Sequence, residues 1–253
     1  MPAEGQRAFL QMVRPVRTEH ALVRLGGETD GGYLVPDDLD GIVACFSPGV
    51  SDVSDFEEAL LARGMRTFQI DASIDETPLK HVRNDFERKF LGIVTDDSRV
   101  TLDDWVNDKM GDAPGDLIMQ IDIEGHEWLA MTRVSDETLR RFRIIVIEFH
   151  ALDHAFESIA GLIFAPVIER LRLHFDVVHL HANNVVPPLR GQFYAVPPFL
   201  ELTLLRKDRS RHREPVTCLP HPLDRDNVTG NPAAVLHPVM YKPESAAFAA
   251  TRH

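Results

Sequence analysis

Short apolar segments recur along this chain with amphipathic stretches between them, and that alternation most limits the folds open to it. The segments Ile42–Phe46, Thr67–Ile70, Phe90–Val94, Leu117–Ile121, Ile144–Glu148, Val177–Leu180 and Phe199–Leu205 read as strands. Several are apolar almost throughout, as strands buried on both faces of a sheet are. Strands alternating with helical patterns predict an α/β fold: a mostly parallel sheet with helices on both faces. The last segment, FLELTLL, alternates more than the others and follows its predecessor across a stretch rich in Asn, Pro and Gly with no evident helix. A parallel neighbour needs a long crossover, so this strand is expected to return antiparallel.

Helix signals fill the intervals. Ser54 is placed as the cap of Asp55–Arg63, which Gly64 stops. Thr101 is placed as the cap of a helix through Trp105, with Asp103 and Asp104 suiting its first turn. Glu127–Arg133 and Asp136–Phe142 read as short helices. Phe156–His174 reads as a longer one, with Ile159, Leu162, Ile163, Val167 and Leu171 as its apolar stripe and Pro166 as a kink or boundary. Residues 1–21 are expected to form a helical extension and 22–209 the main domain. From Ser210 the chain turns to Pro, His and Arg, and 210–253 is expected to lie across the domain or to be partly disordered.

A chain of 253 residues suits one sizeable core. The net charge of −12 opposes nucleic acid and anionic membranes, which both need a basic footprint. No apolar run has the length of a membrane span, and MPAEGQRAFLQMVRPVR lacks that of a signal peptide, so a cytoplasmic chain without stable membrane insertion is expected. Cys45 and Cys218 show neither CxxC nor zinc spacing and read as buried, reduced thiols.

The segment IVACFSPGVSDVSDFEEALLARGMRTFQIDAS points to a nucleoside ligand. A strand runs into a turn at Gly49, a helix follows, and the next strand ends at Asp71, 22 positions after Gly49. In mononucleotide-binding α/β units a glycine turn admits the ligand and an acid about 20 positions on takes the ribose hydroxyls. One glycine replaces the three of a pyrophosphate loop, which favours S-adenosylmethionine, a nucleoside without phosphate, over NAD. Gly49, Ser51, Asp52 and Asp71 are the resulting cofactor candidates, with Asp96 placed near the adenine.

Polar residues gather where three later strands end: Asp122 in LIMQIDIEGHEW, Glu148 and His150 in RIIVIEFHAL, and His179, His181, Asn183 and Asn184 in VVHLHANN. Ligands of open parallel sheets bind at that edge. Methyl transfer to a hydroxyl needs alignment and a proton acceptor, and His150 or His181 can serve. Asp122, Glu148 and His150 also suit a divalent ion such as Mg2+. Glu124 and Glu127 read as helix-start acids, and His179 is expected to face away from His181.

The strings LIMQIDIEGHEWLAM, RIIVIEFH and VTLDDWV resemble segments of the FkbM family of methyltransferases, with Gln120 where that family commonly has lysine. RLGGETDGGYLVPDDL resembles a segment of methyltransferase-like proteins, its paired glycines bracketing short extended pieces. The resemblance implies a Rossmann-like, seven-stranded methyltransferase sheet with an antiparallel last strand. It implies O-methylation of a small-molecule or glycan hydroxyl, with S-adenosylmethionine as cosubstrate. Gly49 and Asp71 become cofactor contacts, and Asp122 stands at the methyl-transfer centre as well as beside the cofactor. Arg24 and Tyr33 are expected to close over the cofactor's methionine end or the acceptor. Two alternatives stand beside this reading: a metal-dependent hydrolase built on Asp122, Glu148 and His150, and a catalytically silent cofactor-binding module. The oligomeric state is left open.

Overall fold

The computed structural model describes residues 1–157, 159–191 and 193–243. Its centre is a seven-stranded sheet of β1 (Ile42–Pro48), β2 (Arg66–Ile70), β3 (Asn84–Glu87), β4 (Asp116–Ile121), β5 (Phe142–Phe149), β6 (Phe175–Ala182) and β7 (Leu200–Arg206). The spatial order is β6-β7-β5-β4-β1-β2-β3. Parallel pairing runs from β3 through β5, and β7 lies antiparallel to both β5 and β6. This is a Rossmann-like α/β sheet with the antiparallel last strand that its alternating pattern requires. Strand order reverses between β1 and β4, the point where such sheets open a crevice at their carboxyl ends.

The two faces carry separate cores. One holds α1 (Ala3–Met12), α3 (Leu102–Met110), α4 (Glu127–Arg133), α5 (Asp136–Arg141) and α6 (Gly161–His174) around Phe46, Trp105, Phe142 and Trp128. The indole of Trp128 stacks between Phe149 and Phe164 at 3.9 and 3.8 Å. The other face is covered by α2 (Asp55–Ala62) and by a hairpin pairing Leu22–Leu25 with Tyr33–Pro36. Gly26 and Gly31, both with positive φ, turn that hairpin.

Five expectations need correction. Cys45 is buried as expected, but Cys218, in the segment after Ser210, is exposed. The third sheet strand is Asn84–Glu87, whereas Phe90–Leu91 pairs only with Arg99–Val100 beside the sheet. Phe90, Ile93 and Val94 are half exposed, and Phe90 and Ile93 line a cavity instead of filling the core. The long helix starts at Gly161, after a 3-10 turn over Leu152–Phe156, and continues through Pro166. Its buried stripe is Phe164, Val167, Ile168 and Leu171, while Ile159 and Leu162 are exposed. Ser54 does not cap α2 with its side chain; its hydroxyl accepts from Gln69. His179 and His181, two positions apart on one strand, share a side, and both face Asp224.

The segment after Ser210 runs along β6, the edge strand. Glu214–Pro215 pairs with Val16–Arg17. Further on, Asp224 and Asn227 meet the two histidines, and Leu236, Met240 and Tyr241 are buried against the helical core. Residues 244–253 of the expected tail lie outside the described residues.

Candidate active site

The crevice is built from loops that leave β1, β2 and β4. Gly49 has φ +88°, and a Cβ there would stand 1.7 Å from the carbonyl oxygen of Asp122. Only glycine lets the two loops meet so closely. Asp71 fixes the same turn from β2: its Oδ2 accepts from Val50 N at 3.0 Å, and its Oδ1 accepts from Ser73 N at 2.7 Å.

Two cavities open on either side of Gly49 and the Asp122 loop. The larger, about 510 Å³, is lined by Gly49, Asp71, Phe90, Leu91, Ile93, Arg99 and Ile123, an apolar slot with a carboxylate at one end. The smaller, about 60 Å³, is lined by Asp30, Tyr33, Gly49, Ser51, Gln120 and Asp122 among others. Beneath it Gln120 Nε2 donates to the buried Tyr33 hydroxyl at 3.1 Å, and Ser47 Oγ lies 2.9 Å from Gln120 and 2.5 Å from Glu57. Burial raises the Glu57 carboxyl above its ordinary range.

Other sequence candidates lie elsewhere. Arg24 donates to the carbonyls of Gly27 and Thr29 and so holds its own hairpin turn. Asp96 is engaged by Arg99 and the Ser98 amide, and Asp52 is exposed; neither lines a cavity around Gly49. Ser51 reaches the smaller cavity, although its hydroxyl turns back to Val53.

Ionisable residues form a row across the sheet at the same edge. Glu148 stands directly opposite Glu201, and Glu201 directly opposite His181. Asp122 follows Ile121, the register partner of Ile147, and so takes the next place in the row. Asn183 donates to Glu148 at 3.0 Å, and Asn227 donates to both Glu201 and Asp30. Burial and then the Glu201 and Asp122 charges push Glu148 well up. Burial lifts Glu201 to about 7 against the pull of His181. His181 itself reaches about 9, because Asp224 and Glu201 outweigh its burial. Glu201 and Asn227 escaped the sequence reading: one sits in a strand of apolar alternation, the other 26 residues beyond it in the featureless tail.

Beside this row lies His150, 12% exposed, ringed by three carboxylates. Its Nδ1 is 3.2 Å from Glu127 Oε1, and its Nε2 is 3.4 Å from Glu124 and 3.6 Å from Asp122. Burial raises Asp122 to about 6, opposed by His150 and helped by Glu124 and Glu127. Burial acts against charging His150, but Glu127, Asp122 and Glu124 outweigh it and raise its proton affinity. For a divalent ion, the ligand atoms within 4.8 Å of one another come from Asp122, Glu127 and His150, so Glu127 stands where the sequence reading placed Glu148. Within that trio Glu127 faces one nitrogen of the ring and Asp122 the other.

Residues 47–178, a little over half of the chain, match the model of the methyltransferase FkbM domain. The chain belongs to the FkbM methyltransferase family. It is therefore an S-adenosylmethionine-dependent methyltransferase, and the matched span holds Gly49, Asp71, Asp122, Glu127 and His150. The hairpin with Tyr33 and the segment with Asp224 and Asn227 fall outside the span that defines an FkbM domain. No curated protein matches the chain at a significant level. Among solved structures, a chain of the fibrillarin/Nop5p complex aligns with 12% identity over 66% of this FkbM-family chain and 74% of its own, with a TM-score of 0.40. At that score the likeness carries no functional argument.

Proposed function

We propose that this FkbM-family chain is an O-methyltransferase acting on a hydroxyl of a small molecule or glycan in the cytoplasm. One observation carries the reading: Gly49 joins the Asp71-lined cavity to the Asp122 and His150 cluster across a single backbone contact. In this reading the larger cavity takes the adenosine, its apolar walls suiting adenine and Asp71 the ribose. The smaller cavity takes the methionine end, whose ammonium and sulfonium charges suit Asp30 and Asp122. The absence of a Cβ at Gly49 lets the Asp122 loop close on it between the two cavities. Bound there, the cosubstrate supplies a methyl group activated by its positive sulfur.

The chain's own residues do the rest. Backbone around Gly49 and Asp122 sets the line of approach, since in-line displacement depends on alignment. His150 accepts the hydroxyl proton as the oxygen–methyl bond forms and the sulfur–methyl bond breaks, leaving S-adenosylhomocysteine. A general base of this kind contributes about 10²–10⁴-fold. His181, held by Asn227 with Asp224 nearby and Glu201 directly across the strands, shapes the acceptor side of the row. A divalent ion on Asp122 and His150 is the second reading, and chelation separates the two: persistence of transfer in EDTA supports His150 as base.

The test is calorimetric binding of S-adenosylhomocysteine followed by transfer of labelled methyl to a panel of hydroxyl acceptors. Binding weakened roughly 10- to 150-fold by Asp71→Ala, with methyl recovered on oxygen, is the expected result. Absence of binding, or methyl found only on nitrogen, overturns it.

A further inference from the structure

We propose that Glu127 is a positioning residue that sets the tautomer of His150, placing the proton on Nδ1 and leaving Nε2 open toward the methyl-transfer centre. This rests on the reading of His150 as proton acceptor and adds how the ring is held. Glu127 opens α4 with its side chain fully buried. Its Oε1 accepts from Ile123 N at 2.8 Å and Gly125 N at 3.1 Å while facing His150 Nδ1. Two amide donors converge on that oxygen, as they do on an ionised carboxylate. An ionised carboxylate only accepts, so the favourable partner on the ring is Nδ1–H, and neutral imidazole then keeps its lone pair on Nε2.

The surroundings hold the ring for this purpose. Trp128 Nε1 donates to the His150 carbonyl at 2.7 Å, and Phe199 lies 4.9 Å from the ring centre. Among the described residues, the two non-glycine residues in the left-handed region are Glu124 (φ 55°) and Ala151 (φ 57°), one in each loop of the cluster. Such backbone costs of order 1–3 kcal/mol and collects at functional sites. Toward Nε2 the carboxylates of Asp122 and Glu124 stand at 3.6 and 3.4 Å, too far to claim it as a bonding partner. His150 Nδ1 and Glu127 Oε2 are both buried without a hydrogen-bond partner. A small rotation of either side chain closes their bond, as catalytic pairs tighten when substrate arrives.

The experiment uses the full chain with ¹⁵N-labelled histidine and long-range proton–nitrogen spectra, which report tautomer and titration without any acceptor. His150→Gln assigns the signals. The wild-type ring is expected to be protonated on Nδ1 and to titrate above 6.5. Glu127→Gln is expected to lose that preference, with a tenfold or greater drop in proton affinity. Glu127→Asp, which keeps the charge but withdraws it, should fall between, and serves if the glutamine variant does not fold. Glu124→Gln should lower proton affinity without moving the proton between nitrogens. An unchanged tautomer and titration in Glu127→Gln overturns the proposal, as does selective broadening of the His150 signals by Mn2+ alone. If His150→Gln retains methyl transfer while Glu127→Gln moves the proton, the base reading fails and the hold of Glu127 on the ring stands.

Discussion

At the scale of single residues, the site couples binding to backbone architecture. Asp71 ties down the Val50 and Ser73 amides, so Asp71→Ala is expected to lose stability as well as ligand. Orphaning such donors costs about 1–3 kcal/mol, and loss of a charge-assisted ribose contact costs about 1.5–3 kcal/mol, roughly 10- to 150-fold in affinity. Melting curves and calorimetry with S-adenosylhomocysteine separate the two losses, and unchanged affinity would dismiss the ribose role. Gly49→Ala meets the Asp122 carbonyl and an unfavourable φ together. The backbone alone costs of order 1–3 kcal/mol, so this variant is expected to melt well below wild type. Since His150 must be neutral to accept a proton and its proton affinity is raised, methyl transfer should climb with pH above 6.5. A rate flat across that range would remove His150 as the base.

At the scale of elements, the row across β4, β5, β7 and β6 is held by the segment carrying Asp224 and Asn227. Three side chains meet Asn227, so Asn227→Ala should release this segment and leave Glu201 buried with a weaker partner. Faster hydrogen exchange over residues 224–231 is the expected readout. The pH dependence has a definite sign. His181 titrates higher folded than unfolded, so its contribution is complete below about 6.5 and fades as pH rises toward about 9. Glu201, also raised, binds protons preferentially in the fold, and stability falls from about 4.5 to about 7 as it ionises. Asp224 is lowered by His179 and His181 despite its burial, so its contribution is present above about 4 and lost only in stronger acid. Melting temperature should therefore decline between pH 5 and 9, and Glu201→Gln should flatten the lower part of that decline.

These elements also show what a reading of the chain alone can reach. Strands β1, β2, β4, β5, β6 and β7 were legible, because burial on both faces writes itself as apolar runs. The third strand was not, since NDFE is polar and sits at the sheet edge. Gly49, Asp71, Asp122 and His150 stand just beyond strand ends, where the sequence pattern places them. Glu127 looked like an ordinary helix-start acid, and nothing local shows that it turns inward to a histidine on the next strand. Nor does the sequence show that Arg24 donates to the carbonyls of its own hairpin turn.

For the whole molecule, ligand and chain ends both bear on stability. At a hundredfold excess over Kd, S-adenosylhomocysteine stabilises the native state by about 2.7 kcal/mol, roughly 5–10 °C for a chain of this size. Asp71→Ala should show a fraction of that rise at equal concentration. Removal of residues 210–253 would strip Leu236, Met240 and Tyr241 from the helical core and leave His179 and His181 without their partners Asp224 and Asn227. The shortened chain is expected to aggregate, and light scattering during a melt would record it. Among the described residues, no helix is long and apolar enough to cross a membrane.

Asn227 and Asp224 arrive late in synthesis, long after the cradle around Gly49 and Asp71 has left the ribosome. Until they do, the buried carboxyl of Glu201 and the ring of His181 have no amide to share, since among the described residues Asn227 alone reaches both of them and Asp30 besides. A nascent chain therefore carries two of its costliest polar groups half-satisfied until position 227 folds back on the sheet.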